Sequence, residues 1–265
     1  MAYLGMSLAV APMVAPLIGG QLEAHFGWQA NFLATALLGA GALIATWWSL
    51  AETLPPGARK FSRPAALMVT YARLSRMTRF MGYSLTTSAI GTAFQAFIAG
   101  TPVAFILVMG VPPELFGFFI LTGPAGYIIG NFISGRMARQ ISRTRMIWIG
   151  SVLTVTGTGM MVALALTGHD TPFTLLLPVF IYSWGSGFIV PNSLAGALTA
   201  VEPAAAGSAA ALGGFFQMGA GFLGTILIAS LIQTSFLQLG LVMFGCSVLS
   251  WLFFVALVRP ESRPA

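Results

Sequence analysis

Residues 146–167 read MIWIGSVLTVTGTGMMVALALT, without one charged side chain, with Arg145 just ahead and His169-Asp170 just behind. Wound as an α-helix, such a run rises about 30 Å, the thickness of the hydrocarbon core of a bilayer. Its unbroken apolar character argues for a helix, because a membrane β-strand alternates over about ten residues. The decisive solvent for this stretch is lipid.

The rest of the chain repeats the pattern. Of its 265 residues 57% are hydrophobic and 7% charged, and the mean hydropathy is +0.89, whereas a water-soluble domain carries about 25% charged residues. Long apolar runs cover 3–22, 30–50, 80–109, 115–134, 146–167, 173–198, 205–231 and 236–258. They predict an all-α integral membrane protein with eight transmembrane helices. Met1 is followed by Ala2 and Tyr3 with no basic leader, so the first run does not read as a cleaved signal peptide.

Charge placement gives an orientation. All twelve basic residues fall in 59–79, in 136–145 and in the tail at Arg259 and Arg263. If the spans alternate, these three places share one side. The opposite connections hold Glu23, His25, Glu114, His169 and Asp170, and no Lys or Arg. Lys and Arg accumulate in cytoplasmic loops, so both termini are predicted to be cytoplasmic. The net charge of +6 is thus an orientation and membrane-surface signal, with anionic lipid headgroups as its counter-charge. The bilayer is the expected partner and nucleic acid is not. The lone Cys246 lies inside the last run and has no intrachain disulfide partner.

Residues 51–79 form the one long polar connection, opening with Pro55-Pro56-Gly57. Its second part predicts a short amphipathic helix with Leu67, Tyr71 and Leu74 on one side. Arg73, Arg76 and Arg79, spaced by three, would lie at headgroup level. The chain then divides into 1–51 with two spans, a cytoplasmic linker at 52–79, and a six-span bundle at 80–265.

Catalytic signatures are missing. No G-x-x-x-x-G-K-[ST] phosphate loop occurs and Lys60 is the only lysine, so the chain carries no ATPase of its own. It has no H-E-x-x-H, no C-x-x-C and no cluster with metal-ligand spacing. His169-Asp170 sits in a short turn with no nucleophile or third group. The expectation is a protein that is not an enzyme and holds no metal.

The spans do carry uncharged polar and aromatic residues near their centres. Gln95 stands beside Phe94 and Phe97. Tyr127 is followed one turn on by Asn131. Tyr182, Ser183 and Trp184 precede Pro191-Asn192, and Gln217 follows Phe215-Phe216. Polar groups within spans face the bundle interior or a water-filled cavity. The alternative is plain interhelical hydrogen bonding, at about 0.6–2 kcal/mol each. Similar depth on four spans favours a midplane cavity lined by Gln95, Tyr127, Tyr182, Trp184 and Gln217. Amides and aromatic faces suit bulky, moderately apolar solutes, and no Arg lies within a span to bind an anion.

Residues 11–20, APMVAPLIGG, add a moving part. Pro12 and Pro16 each open the helix. Ala11, Ala15 and Gly19 recur every four residues, a smooth stripe for close packing. This decapeptide resembles the antiporter motif G-x-x-x-G-P-x-x-G-G in the fifth helix of major facilitator superfamily exporters. Ala11 and Ala15 replace the first two glycines, while Pro16, Gly19 and Gly20 match. GWQANF (27–32) and AETLPP (51–56) resemble the sixth helix and its exit in the Bcr/CflA drug-efflux branch. GNFISGRMARQISR (130–143), with Arg136, Arg139 and Arg143, is similar to the superfamily's glycine- and arginine-rich loop after the eighth helix, without its usual acidic position. FIVPNSLAGAL (188–198) and AAAGSAAALGGFFQ (204–217) look like the tenth and eleventh helices.

The resemblance implies a major-facilitator-type helical bundle, with this chain equivalent to helices five to twelve of a twelve-helix fold. It implies two six-helix halves around a central cavity, rocking to alternate access. The implied activity is proton-driven export of drugs or other small amphipathic molecules across a bacterial inner membrane, by a monomer when complete. The proton gradient is the energy source and no cofactor is expected. All six acidic residues and both histidines lie in loops or at span ends. The proton-carrying acid is therefore expected in the first four helices, encoded upstream or supplied by another chain, and this chain alone is not expected to couple export to protons. Two alternatives stay open. One is another task in the superfamily, such as export of a metabolite, sugar or siderophore, or uptake. The other is a non-transporting membrane fragment, with small-residue faces such as Ala205-Ala209-Gly213 left uncovered.

Overall fold

The computed structural model describes residues 18–19, 21–22, 25–49, 64–112, 118–168, 171–231 and 236–258. These residues form helices and no strands. We label the elements α1 (Gln29–Ser49), α2 (Pro64–Ser75), α3 (Thr78–Pro102, prolonged by a π-helical turn Val103–Val108), α4 (Thr122–Met137), α5 (Arg143–Leu166), α6 (Pro172–Thr199), α7 (Ala206–Ser230) and α8 (Leu237–Leu257). Seven of the described helices are long and apolar enough to cross a membrane. They match the expected spans to within a few residues. The remaining expected span, 3–22, lies almost wholly outside the described residues, as do Ala11, Ala15, Pro16 and Gly20. Of that motif only Gly19 is described, within a helical stretch. The boundary at 51–52 and the His169-Asp170 turn also lie outside.

Proline shapes two helices. Pro102 ends the regular part of α3, and the chain widens into the π turn, with the Met109 and Val111 amides donating to the carbonyls of Ala104 and Phe105 at 3.1 and 2.8 Å. Irregular backbone of this kind survives in a membrane when neighbouring protein covers it, and Ala104 and Phe105 are buried. α6 carries Pro178 and Pro191 inside it. Lacking an N–H, Pro191 leaves the Gly187 carbonyl without its helical partner.

Helices α3 to α8 pack around α6 and α3, which make the most extensive interfaces: α6 with α5 and α4, α3 with α7 and α8. Lipid tails are as apolar as Leu, so close backbone approach rather than hydrophobicity must hold such helices together. Glycine supplies it. A Cβ added at Gly126 of α4 would stand 2.6 Å from the Phe180 carbonyl oxygen, and one at Gly130 would overlap the Trp184 carbonyl. On the opposite side of α6, a Cβ at Gly157 of α5 would stand 2.7 Å from the Tyr182 amide nitrogen.

The two buried clusters mark the two ends of this bundle. One joins Ile90, Phe97, Phe105, Met161, Val179 and Met243. The other joins Leu74, Phe80, Tyr83, Ile147, Ala197 and Phe254. The second cluster unites the starts of α3 and α5 with the ends of α6 and α8, so α3 to α8 alternate in direction as the charge pattern required. It lies at the end that carries the described arginines. There Arg143 donates to Thr199 Oγ1 at 2.9 Å, and Arg136 stacks 4.6 Å above the Phe132 ring.

The amphipathic α2 is docked on this end. Leu74 is buried, Leu67 and Tyr71 are half-buried, and Arg73 pairs with Glu202 at 3.0 Å. Both partners are 69% exposed, so the pair contributes about 0.2–1 kcal/mol, while truncating a buried Leu costs about 2–5 kcal/mol. Leu74→Ala is accordingly expected to lower stability in denaturant titrations of the purified protein several times more than Arg73→Ala. Equal effects would mean that charge, not burial, seats α2. By contrast α1 has no buried residue, with Trp47 and Trp48 82% and 83% exposed.

Candidate functional site

Depth in the sequence placed five polar and aromatic residues together, and the helices sort four of them into two groups and set Tyr182 apart. The first lies where α3 and α7 run side by side. Gln217 of α7 rests on Gly91 of α3, where an added Cβ would meet its Cγ at 3.3 Å. Gln95 of α3 rests on Gly221 of α7, where the same distance would be 3.0 Å. The two amides therefore interlock over opposing glycines, one turn apart. Gln95 is exposed and Gln217 half-buried. Phe94 is half-buried and turns to Phe97, 6.5 Å between ring centroids, and the half-buried Phe216 meets Phe215 at 6.1 Å.

The second group lies between α4 and α6. The backbone of Tyr127 and Asn131 abuts Gly187, whose added Cβ would stand 2.6 Å from the Tyr127 carbonyl oxygen and 2.5 Å from the Asn131 amide nitrogen. Trp184 lays its indole across Gly130 and faces Phe180 at 6.3 Å. Two donors here are buried with no partner among the described residues, Asn131 Nδ2 and Trp184 Nε1. Further along α6, Asn192 Nδ2 donates to Ser134 Oγ and to the Phe188 carbonyl, both at 2.8 Å, with Met146 Sδ at 3.8 Å.

Tyr182 belongs to neither group. It is 1% exposed and its hydroxyl donates to the Ile90 carbonyl at 2.7 Å, tying α6 to α3 inside the core. Its role in this bundle is packing. Interhelical bonds in membranes contribute about 0.6–1.7 kcal/mol, so Tyr182→Phe is expected to lose about that much stability. A loss outside that range on denaturant titration would contradict this assignment.

Sequence reading missed a cleft of about 150 Å³ between α3, α6 and α7, toward the arginine-bearing end. Tyr83, Ser84 and Thr87 line it from α3, Gly213 and Gln217 from α7. Small hydroxyl residues near a span end gave no signal for it. Arg136 and Arg139 are exposed and Arg143 half-buried at that same end. Among the described residues no group of three or more His, Cys, Asp or Glu could hold a metal ion.

A bundle of apolar helices with amides, hydroxyls and indoles inside, and with the Arg and Glu side chains of its described residues gathered at one end, fits a protein that passes solutes rather than transforms them. The sequence model of the Major Facilitator Superfamily matches residues 1–225. The chain belongs to this superfamily. It is 30% identical over 266 residues to multidrug resistance protein D of Escherichia coli strain K12, covering 98% of this chain and 65% of that protein. It is 29% identical over 255 residues to the uncharacterized MFS-type transporter YdgK of Bacillus subtilis strain 168, covering 95% and 62%. A bicyclomycin resistance protein homolog of Haemophilus influenzae is 25% identical over 251 residues, covering 94% and 62%. The chain thus spans just under two thirds of the length of these relatives. As a superfamily member with several membrane-crossing helices it is a multi-pass membrane protein of a transporter family, not of an enzyme family.

Proposed function

We propose that this chain forms the larger part of a proton-driven exporter of drugs or other small amphipathic molecules, set in a bacterial inner membrane with both termini cytoplasmic. The observation that carries the reading is similarity over almost the whole chain to relatives named for multidrug and bicyclomycin resistance. The interlocked Gln95 and Gln217, with no charged partner beside them, supply a wall that holds apolar solutes of varied shape. The arginines gathered at one end of α3 to α5 support the cytoplasmic orientation, since that end would face the positively biased side. No described membrane helix contains Asp or Glu, and a proton-coupling group within a membrane is usually a carboxylate or His. We therefore place the coupling group in the portion of the relatives that this chain does not span, supplied on the same polypeptide or by another chain. The complete transporter acts as a monomer and uses no cofactor.

One observation favours a second reading, a non-transporting fragment: α1 buries no residue. Expression in a drug-hypersensitive bacterium separates the two. The chain alone is expected to give no energised efflux of ethidium. Joined to the third of the Escherichia coli relative that it does not match, it is expected to give efflux that a protonophore abolishes. No efflux from the joined protein, when it is present in the membrane at normal amounts, would leave the fragment reading standing.

A further inference from the structure

The cleft between α3, α6 and α7 holds a polar atom that the fold does not use. Ser84 is 5% exposed, lines the cleft, and its Oγ has no hydrogen-bond partner among the described residues. Its neighbours behave differently. Thr87 donates back to the Tyr83 carbonyl at 3.1 Å and Ser88 to the Ser84 carbonyl at 2.8 Å, the ordinary resolution for a hydroxyl inside a helix. Ser84 Oγ instead faces α7, where Gly213 offers no side chain and an added Cβ would be 3.7 Å away. A buried hydroxyl left unpaired is costly, so a second species that accepts or donates there has a ready advantage.

Size selects that species. A cavity of about 150 Å³ admits a benzene-sized group, and this one has that volume. Leu194 and Leu198 of α6 supply apolar wall, and Gln217 supplies an amide at the far end from the arginine-bearing loops. We propose that this cleft is a binding pocket for a single aromatic ring carrying one hydrogen-bonding atom, of the phenol or aniline class, with Ser84 Oγ as its polar partner. Under the export reading, on which only the physiological occupant rests, that ring is the aromatic end of an amphipathic substrate.

The test uses the full chain in lipid nanodiscs, with 4-fluorophenol and fluorobenzene followed by fluorine NMR. Wild type is expected to bind both saturably. Ser84→Ala should weaken 4-fluorophenol by about threefold to tenfold, the effect of one net hydrogen bond, and leave fluorobenzene unchanged. Gly213→Leu fills the cleft with a better helix former and should abolish both. Ala210→Phe, which blocks the cleft from another position on α7, gives the same readout if Gly213→Leu fails to fold. Titrations that superimpose on wild type in the folded blocking variants would mean partition into lipid and overturn the pocket. Equal effects of Ser84→Ala on both probes would overturn the role of its hydroxyl. Binding without efflux in the joined transporter would leave the pocket and remove the export reading, whereas efflux with superimposed titrations would overturn the pocket alone.

Discussion

Gly150→Val is expected to prevent the six-helix bundle from assembling. Gly150 of α5 and Gly185 of α6 face each other with backbone against backbone. An added Cβ at Gly150 would stand 2.7 Å from the Gly185 carbonyl oxygen, 2.7 Å from Ile189 Cγ1 and 2.9 Å from Phe188 Cβ. The reverse addition at Gly185 would stand 2.6 Å from the Gly150 carbonyl oxygen. No rotamer change relieves a contact with a carbonyl, so the helices must separate along their length. Separation also forfeits the fit at Gly157 on the same interface. Overpacking of a flexible core costs about 1–3 kcal/mol, and a rigid backbone contact lies at or beyond the top of that range. The measure is the folded fraction recovered in mild detergent. Gly214→Ala is the control: nothing lies within 4 Å of its added Cβ, and the exchange removes a helix-weakening glycine worth about 0.5–1 kcal/mol. Normal recovery of Gly150→Val would mean that α5 and α6 are not in backbone contact.

These helices were legible as helices because span length and an absence of charge suffice to define them. Their rotation was not legible, and the reason is physical. In α5 or α8 apolar residues surround the whole axis, so no amphipathic face reports which side meets protein and which meets lipid. Depth could therefore be read for Gln95, Tyr127, Tyr182, Trp184 and Gln217, but not the direction each faces. Tyr182 and Trp184 show the consequence. Two residues apart at equal depth, one is sealed against Ile90 and the other lies over Gly130. Amphipathic α2 is the counter-example. Its Leu67, Tyr71 and Leu74 were placed on one side by spacing alone, and that is the side that docks. Glycine positions hold the missing information about rotation, since Gly126, Gly130 and Gly157 all face α6. A reading that treats every glycine as a mere weak helix former loses it.

Asn192→Asp is expected to destabilise the bundle more than Asn192→Ala. The amide of Asn192 joins three helices. Its Nδ2 donates to Ser134 Oγ of α4 and to the Phe188 carbonyl of its own helix, and it approaches Met146 Sδ of α5. Pro191 stands beside it, so this hydrogen bonding supports α6 where its own ladder is interrupted. An aspartate has almost the same shape but offers no N–H. It would set an anionic oxygen against the Phe188 carbonyl, inside a span where an acidic residue costs about 2.5–3.5 kcal/mol. Alanine removes the two hydrogen bonds without adding charge, and each is worth about 0.6–1.7 kcal/mol. The expected order of unfolding midpoints at neutral pH is wild type above Asn192→Ala above Asn192→Asp. Ser134→Ala combined with Asn192→Ala should cost less than the two single changes added together, because the Ser134 bond is counted in both. An additive double variant would show that Asn192 and Ser134 act independently. An aspartate variant as stable as wild type would mean that this position opens to water rather than to the three-helix core.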